Sequence, residues 1–333
     1  MLIENATIAF CNYPFERLKI DSAGDCTFCC FSTRKCLGNI LNQSLEEIWN
    51  GDLAADIRAE TIANRLHTTC AVESCPFYHI STKLKDKSHR VRLAKIPIDI
   101  ELDLPMQHCN IGGEDPKPGS ACIMCERALL YHRQEDRVDE IAERLRPYAD
   151  KFKFLHVQGV AEAFWKNKIF DVVEKVGVNT HLTRITTFTN GTILCDQRLD
   201  KWLGYPWSCT TFSIDASTPE TYKKIRIWNA YDRIVSNMKE FARRRTPAQF
   251  FQIHNNINLL NVGEVKGMVE LAAEVGVDNL TFNPTCNLPN LIVNEDNVHI
   301  FAKAQDEIVE TALKLGVKVE FFRNLTLDLG SWC

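Results

Sequence analysis

The chain reads as an α/β protein built on a parallel sheet, preceded by a cysteine-rich segment. From Ile96 onward, short alternating or apolar runs give way in turn to stretches of helical period, which is the pattern of successive βαβ units. Before that point lie Cys11, Cys26, Cys29, Cys30, Cys36, Cys70 and Cys75, seven of the fourteen cysteines. A length of 333 residues, 45% of them hydrophobic and 25% charged, suits one large domain with a small one beside it. No stretch approaches the roughly 18 uninterrupted apolar residues of a membrane span. The net charge of −4 gives no general attraction to nucleic acid or to anionic membranes. MLIENATIAFCNYPFERLKI has no basic segment followed by an apolar core, so no signal peptide is expected and the cytoplasm is the expected compartment. There, clustered cysteines point to metal or redox chemistry more than to disulfides. Cys195, Cys209 and Cys286 have no close cysteine neighbour and read as small buried residues.

Residues 1–80 predict short irregular structure around one helix, LEEIWNGDLAADIRAETIAN. In it Leu45, Ile48, Trp49, Leu53 and Ile57 recur at helical spacing behind Gln43 and Ser44. STKLKDKSHRVRLAK (81–95) carries six Lys or Arg and reads as a solvated linker, with guidance of an acidic substrate as the alternative. IPIDIELDL (96–104) alternates apolar and acidic residues, the period of a strand. A helix is expected near 126–147, then the strand KFKFLHVQGV and the helix AFWKNKIFDVVEKVG. TRITTFTNG and CTTFSIDAS are the next strands, the latter leading into the helix TPETYKKIR. FFQIHNNINL, a helix around VGEVKGMVELAAEVG, the strand DNLTFNP, the helix NEDNVHIFAKAQDEIVETALKLG and a strand near VKVEFF complete the series. At least six such units build either a doubly wound sheet or an arc of a (β/α) barrel.

HCNIGGEDPKPGSACIMC (108–125) directly follows the first of these strands. In a barrel, chemistry gathers on the loops after the strands' C-terminal ends, which places this loop at the functional mouth. Four thiolates close a tetrahedral zinc site and three leave a position open. Thiolates hold iron–sulfur clusters equally well.

IDIELDLPMQHCN followed by CIMC resembles the radical S-adenosylmethionine (radical SAM) superfamily, in which the first strand runs into Cys-Asn and the loop closes on Cys-x-x-Cys. Twelve residues separate Cys109 from Cys122, so IGGEDPKPG stands as an insertion relative to the usual loop. The resemblance recurs in chain order. VQGVAEAF resembles the second-strand Gly-Gly-Glu motif, keeping Gly159 and Glu162 while Val160, Ala161 and Ala163 depart from it. FTNG, with Asn190, matches the third-strand turn, and FSIDASTPETYKKIR resembles the fourth-strand signature. NNINLLN and FNP resemble the fifth and sixth strand ends.

The resemblance implies a partial (β/α)6-type TIM barrel over residues 93–333. It implies a 4Fe–4S cluster on Cys109, Cys122 and Cys125 whose open iron takes the amino and carboxylate groups of S-adenosylmethionine. Met124 then borders the adenine; Gly159 and Glu162 hold the methionyl amino group; Ser213, Asp215 and Arg226 meet the carboxylate and ribose. Asn190 and Asn256, with Asn261 as the alternative to Asn256, complete the cofactor contacts. One electron from the cluster cleaves the sulfonium, giving methionine and a 5′-deoxyadenosyl radical that abstracts a hydrogen atom from substrate. The cofactor carries the hard step, and the protein supplies aim and exclusion of water. On the residues alone, strand-end capping is the plainer role for Ser213 and Asp215, and a surface site the plainer one for Arg226.

CNYPFERLKIDSAGDCTFCCFSTRKCLGNILNQSLEEIWNG and then CAVESC resemble the SPASM or shorter twitch module. Here the module lies before the barrel, over residues 1–92 with the basic linker. This resemblance implies an auxiliary 4Fe–4S cluster on Cys11, Cys29, Cys70 and Cys75, with Cys26, Cys30 and Cys36 as alternates. Zinc in the same four-thiolate cage is the competing assignment. Cys333 is either a further ligand or incidental. The resemblance further implies an electron donor such as flavodoxin or ferredoxin. Its substrate is a peptide or protein, as for maturases, or alternatively a sugar or other small molecule handled by a dehydrogenase or epimerase. A non-catalytic zinc-stapled binding protein explains the cysteines but not FSIDAS, FTNG and GVAE in register; a catalytically silent relative is the third reading.

Overall fold

The structure, a computed structural model, describes residues 6–8, 11–30, 36–63, 65, 70, 75, 89–91, 95–112, 122–125, 134–285 and 290–321. Residues 81–88 and 92–94 of the expected linker at 81–95, residues 113–119 of the inserted IGGEDPKPG, Cys286 and Cys333 lie outside these residues. The chain divides into two compact units that do not follow sequence order. Unit 1 is Met1–Pro105, Gln134–Gly159 and Lys168–Ile185; unit 2 is Met106–Arg133, Val160–Asn167 and Thr186–Cys333.

In unit 1, β1 (Ala6–Ile8) is followed by the short helix α1 (Tyr13–Glu16), β2 (Arg17–Ile20), β3 (Asp25–Thr27) and β4 (Gly38–Asn39). The single helix expected over 45–64 is two, α2 (Leu45–Asn50) and α3 (Asp52–Ile62). Gly51 separates them in an extended conformation (φ −64°, ψ 161°), ending one helix and opening the next. Ser44 begins α2 with a capping box: its Oγ accepts from Glu47 N at 3.2 Å, and Glu47 Oε2 accepts from Ser44 N at 2.7 Å. β5 (His89–Val91) pairs antiparallel with β1, and β6 (Asp99–Asp103) is the strand expected at 96–104. Of the helix expected near 126–147, residues 126–133 lie outside the described residues; the described part holds α4 (Val138–Leu145), after which a 3-10 segment carries Pro147, which cannot donate to a continuing α-helix. β7 (Phe154–Gln158) and α5 (Lys168–Val176) complete the unit.

The irregular N-terminal structure predicted from sequence is in part a sheet. β2 lies parallel beside β6 in the register Arg17↔Asp99 and Lys19↔Glu101, and β7 lies parallel on the other side of β6. Alternation then sorts the side chains by face. Leu18, Ile20, Ile100, Leu102, Leu155 and Val157 are wholly buried on one face. Arg17, Lys19, Asp99, Glu101, Asp103 and His156 share the other. There Arg17 binds Asp99 at 2.9 Å and Glu101 at 3.1 Å, Lys19 binds Glu101 at 2.9 Å and also Asp103, and His156 meets Asp99 at 2.9 Å. Gly159 ends β7 at φ +118°, and a Cβ there sits 2.6 Å from the Leu104 carbonyl oxygen. Gly159→Ala is expected to cost about 3 kcal/mol, combining backbone strain with that overlap, read as a shifted urea midpoint at constant slope.

Unit 2 holds most of β8 (Arg184–Thr189) and then α6 (Asp196–Leu203), β9 (Cys209–Ser213), α7 (Pro219–Arg226), α8 (Tyr231–Arg244), β10 (Phe250–Ile257), α9 (Val265–Val275), β11 (Asn279–Pro284), α10 (Val298–Leu315) and β12 (Val319–Phe321). β8 through β12 run parallel in chain order. The α/β class and the parallel (β/α) succession predicted from sequence are borne out. Two helices, α6 and α8, were not anticipated, although Ile234, Met238 and Phe241 bury one face of α8 at helical spacing. No helix among the described residues is long and apolar enough to cross a membrane.

Candidate cofactor site

Seven of the eight residues expected at the cofactor lie in unit 2, with Cys109, Cys122 and Cys125; Gly159 belongs to unit 1. Strand ends position those of unit 2. Past β8, the FTNG turn requires Gly191 at φ +74°, where a Cβ meets Phe212 at 2.8 Å and Ile234 at 2.9 Å. Asn190 Nδ2 donates to Asn110 Oδ1 at 2.8 Å and points toward Cys109 Sγ at 4.0 Å. Asn110 Nδ2 in turn donates to Thr192 Oγ1 at 2.8 Å, and Asn190 Oδ1 accepts from Thr192 N and Oγ1. The first cysteine is thus held to the third-strand turn by amides and a hydroxyl, none of them ionisable.

Glu162 underlies this turn. It is fully buried and accepts from Asn190 N at 2.6 Å, Thr189 Oγ1 at 2.8 Å and Phe164 N at 3.2 Å. Its own N–H donates to the His108 carbonyl at 2.6 Å. Both carboxylate oxygens therefore serve the protein's own donors. Burial, partly offset by these donors, raises its pKa from the usual 4.5 to about 7. Between those values the folded chain keeps a proton that the unfolded chain has released. Stability is therefore expected to fall by roughly 3 kcal/mol as pH rises through this window. Glu162→Gln is expected to flatten that part of a urea-unfolding pH profile.

The fourth-strand signature builds the opposite wall. Thr218 caps α7, its Oγ1 accepting from Thr221 N at 3.4 Å, and Pro219 occupies the first turn. At the other end Arg226 turns back, donating to the Ser213 carbonyl at 3.2 Å and pairing with Asp215, which is wholly buried. Asp215 Oδ1 also accepts from Asn256 N at 2.9 Å, and its carbonyl accepts from Asn261 Nδ2 at 2.7 Å. Burial disfavours the Arg226 charge, but Asp215 and then Cys122 outweigh it and hold the guanidinium well above its ordinary pKa. Cys122 and Cys125 are joined by a turn, Cys125 N donating to Cys122 O at 3.0 Å, and Ile123 N donates to the Ile225 carbonyl at 3.0 Å. Met124 lies just past the ends of β10 and β11: its sulfur accepts from Asn258 Nδ2 at 3.3 Å and Thr285 Oγ1 at 3.6 Å.

Among the described residues, no three His, Cys, Asp or Glu are drawn together as a ready-made metal site. Fit to an iron–sulfur group rests instead on donor chemistry and on what surrounds it. Burial pushes the Cys122 thiol up, Arg226 opposes this, and Asp215 adds to it. Positive charge beside it, such as Arg226 supplies, favours the thiolate that a cluster ligand must present. Tyr222, beside these cysteines, has a buried hydroxyl with no hydrogen-bond partner. Three thiols with an unanswered donor fit a sulfur-rich anionic group.

In unit 1, Cys11 is pushed up to about 12, first by burial and then by Cys70 and Cys75, with Arg17 opposing. Two of the other three expected auxiliary ligands thus act on Cys11. Cys26 is a core residue raised by burial and by Cys36, and Cys30 is raised by burial and by Glu101. None of the twelve described cysteines forms a disulfide. Residues 11–76 match the SPASM family, an iron–sulfur cluster-binding domain.

Among solved structures, the chain is similar to Streptococcus suis SuiB bound to S-adenosylmethionine, at 12% identity and a TM-score of 0.50, covering 83% of this chain and 62% of that one. It is also similar to SuiB bound to the precursor peptide SuiA, at 10% identity, a TM-score of 0.49, and coverage of 91% and 70%. A third likeness is to anSMEcpe with bound AdoMet, at 14% identity, a TM-score of 0.46, and 62% of each chain. Comparison with curated proteins gives no match. The chain spans 62% of the length of the first of these structures. That first likeness shows a shared fold, and the fold and the N-terminal module implied by the sequence are both borne out.

Tyr222, Thr189, Asn110 and Thr192 join the site without having been singled out from sequence. Asn110 stood in the Cys-Asn pair, and Tyr222 lies one helical turn before Arg226.

Proposed function

We propose that this chain is a radical SAM enzyme acting on a peptide or protein, with an auxiliary cluster in residues 1–92 and the catalytic barrel in 93–333. The observation that carries the reading is the convergence in unit 2 of four segments distant in sequence. Asn190 and Thr192 bind Asn110 beside Cys109, Arg226 pairs with Asp215 and reaches Cys122, and Met124 of the same turn meets Asn258. Cys109, Cys122 and Cys125 would hold a 4Fe–4S cluster with one iron open to S-adenosylmethionine, whose reductive cleavage supplies a hydrogen-abstracting radical. Arg226 offers a cation to the cofactor's carboxylate, and Asp215 fixes its guanidinium. Asn190 and Asn256, positioned through Glu162 and Asp215, present amides to the bound cofactor, while Met124 gives it an apolar border. The peptide substrate is supported by the resemblance of the N-terminal module to those of peptide-modifying maturases. A cytoplasmic setting and a flavodoxin- or ferredoxin-type donor are consistent with a thiol-rich chain that must stay reduced.

Anaerobic reconstitution is expected to yield about eight irons per chain, two clusters' worth. Reductant and S-adenosylmethionine should then yield 5′-deoxyadenosine, detected chromatographically. Zinc with little iron would sink the reading; iron without cofactor cleavage would favour a silent relative.

A further inference from the structure

Tyr222 is the one large polar side chain at the site that this reading leaves without a task. It is 1% exposed, and its hydroxyl has no hydrogen-bond partner. An unanswered buried hydroxyl costs roughly 1–3 kcal/mol, and buried tyrosines ordinarily find a partner. Its position on α7 indicates what is missing. Tyr222 and Arg226 are four residues apart and so share a helix face. The Arg226 guanidinium reaches both Asp215 and the Cys122 thiol. Between them in sequence, the Ile225 carbonyl accepts from Ile123 N, tying this end of α7 to the Cys122–Cys125 turn. Tyr231 packs edge-on against the Tyr222 ring at 6.2 Å, which restricts its tilt. Asp215, Cys122 and Cys109 are all near enough to act on this buried hydroxyl, whose proton is the one it can donate.

We propose that the Tyr222 hydroxyl donates a hydrogen bond to the sulfur-rich group assembled on Cys109, Cys122 and Cys125, as a positioning residue that sets how readily this group accepts an electron. The inference rests on the radical SAM reading and adds to it a residue tuning the primary cluster. A donor aimed at sulfur favours the reduced, more negative state over the oxidised one and so raises the potential. The same bond answers the orphaned hydroxyl only when the cluster is present.

The test uses the full chain, reconstituted without oxygen, and the variant Tyr222→Phe. The reduced-cluster EPR signal that is lost in C109A/C122A/C125A is followed through a redox titration. Unchanged iron content is expected, with reduction disfavoured about tenfold, or about 59 mV for one electron. Full iron with the parent's potential overturns the proposal. Metal-free protein gives a second readout: Tyr222→Phe removes an unpaired hydroxyl and is expected to be at least as stable as the parent in urea. A clearly less stable metal-free variant means that the hydroxyl already has a protein partner, and also overturns it. If the parent binds no iron on the three cysteines, the radical SAM reading itself fails and takes this proposal with it.

Discussion

Replacing Cys109, Cys122 and Cys125 together by Ala is expected to abolish 5′-deoxyadenosine formation while leaving about four of about eight irons in place. The retained half would belong to the N-terminal cysteines, which lie in the other compact unit. Iron analysis and chromatography on the same anaerobic sample check both parts. The asymmetry is the point of the experiment. Cys11 feels Cys70 and Cys75, whereas Cys122 feels Arg226 and Asp215. The two thiol sets therefore draw on separate electrostatic surroundings, and loss of one should not strip the other. Cofactor cleavage that survives the triple replacement would show the ligands to be wrongly assigned. Because Cys122 is buried among well-packed neighbours, far-UV circular dichroism of the variant is needed to show that the fold is intact.

Removal of Arg226 should have the largest effect on stability. Arg226→Ala leaves Asp215 buried with its Oδ2 facing no guanidinium, while Oδ1 keeps only the Asn256 N–H. Stripping one partner from a buried ion pair costs about 3–5 kcal/mol, because the remaining charge is uncompensated. Urea unfolding of the metal-free chain measures this independently of any cofactor. The companion variant Asp215→Asn with Arg226→Met removes both charges and keeps an acceptor for Asn256. It is expected to recover most of the lost stability without recovering S-adenosylmethionine binding. If Arg226→Ala melts with the parent, the pair is not the buried, mutually dependent unit described here.

The parts of the molecule legible in sequence were those set by local rules. Thr218 and Pro219 announce the start of α7 through capping and a fixed φ, so FSIDASTPETYKKIR could be placed on a strand and a helix at once. Ser44 and Glu47 likewise mark α2. The capping roles weighed for Ser213 and Asp215 are filled differently: Thr218 caps the helix, and Asp215 instead pairs with Arg226 and supports Asn256. What sequence did not reveal depends on distant partners. The acidic alternation of IDIELDL identified a strand but not that Arg17 and Lys19, some eighty residues earlier, would neutralise its polar face. Glu162 could be matched to a motif, yet its donors arrive from Thr189 and Asn190 on another strand. Gly51 was hidden for a different reason: one glycine inside a good helical pattern reads as a tolerated defect, and only its extended ψ shows two helices in place of one.

The alignment of β2 against β6 bears on how this molecule can be cut. A fragment trimmed at residue 93 to isolate the barrel would inherit a raw strand edge on β6, its N–H and C=O groups open to any passing chain. It would also keep Asp99, Glu101 and Asp103 while discarding both of the cations that hold them. Such a fragment should be poorly soluble at neutral pH, and the cysteine-rich segment is better regarded as the paired neighbour of β6 than as a detachable appendage.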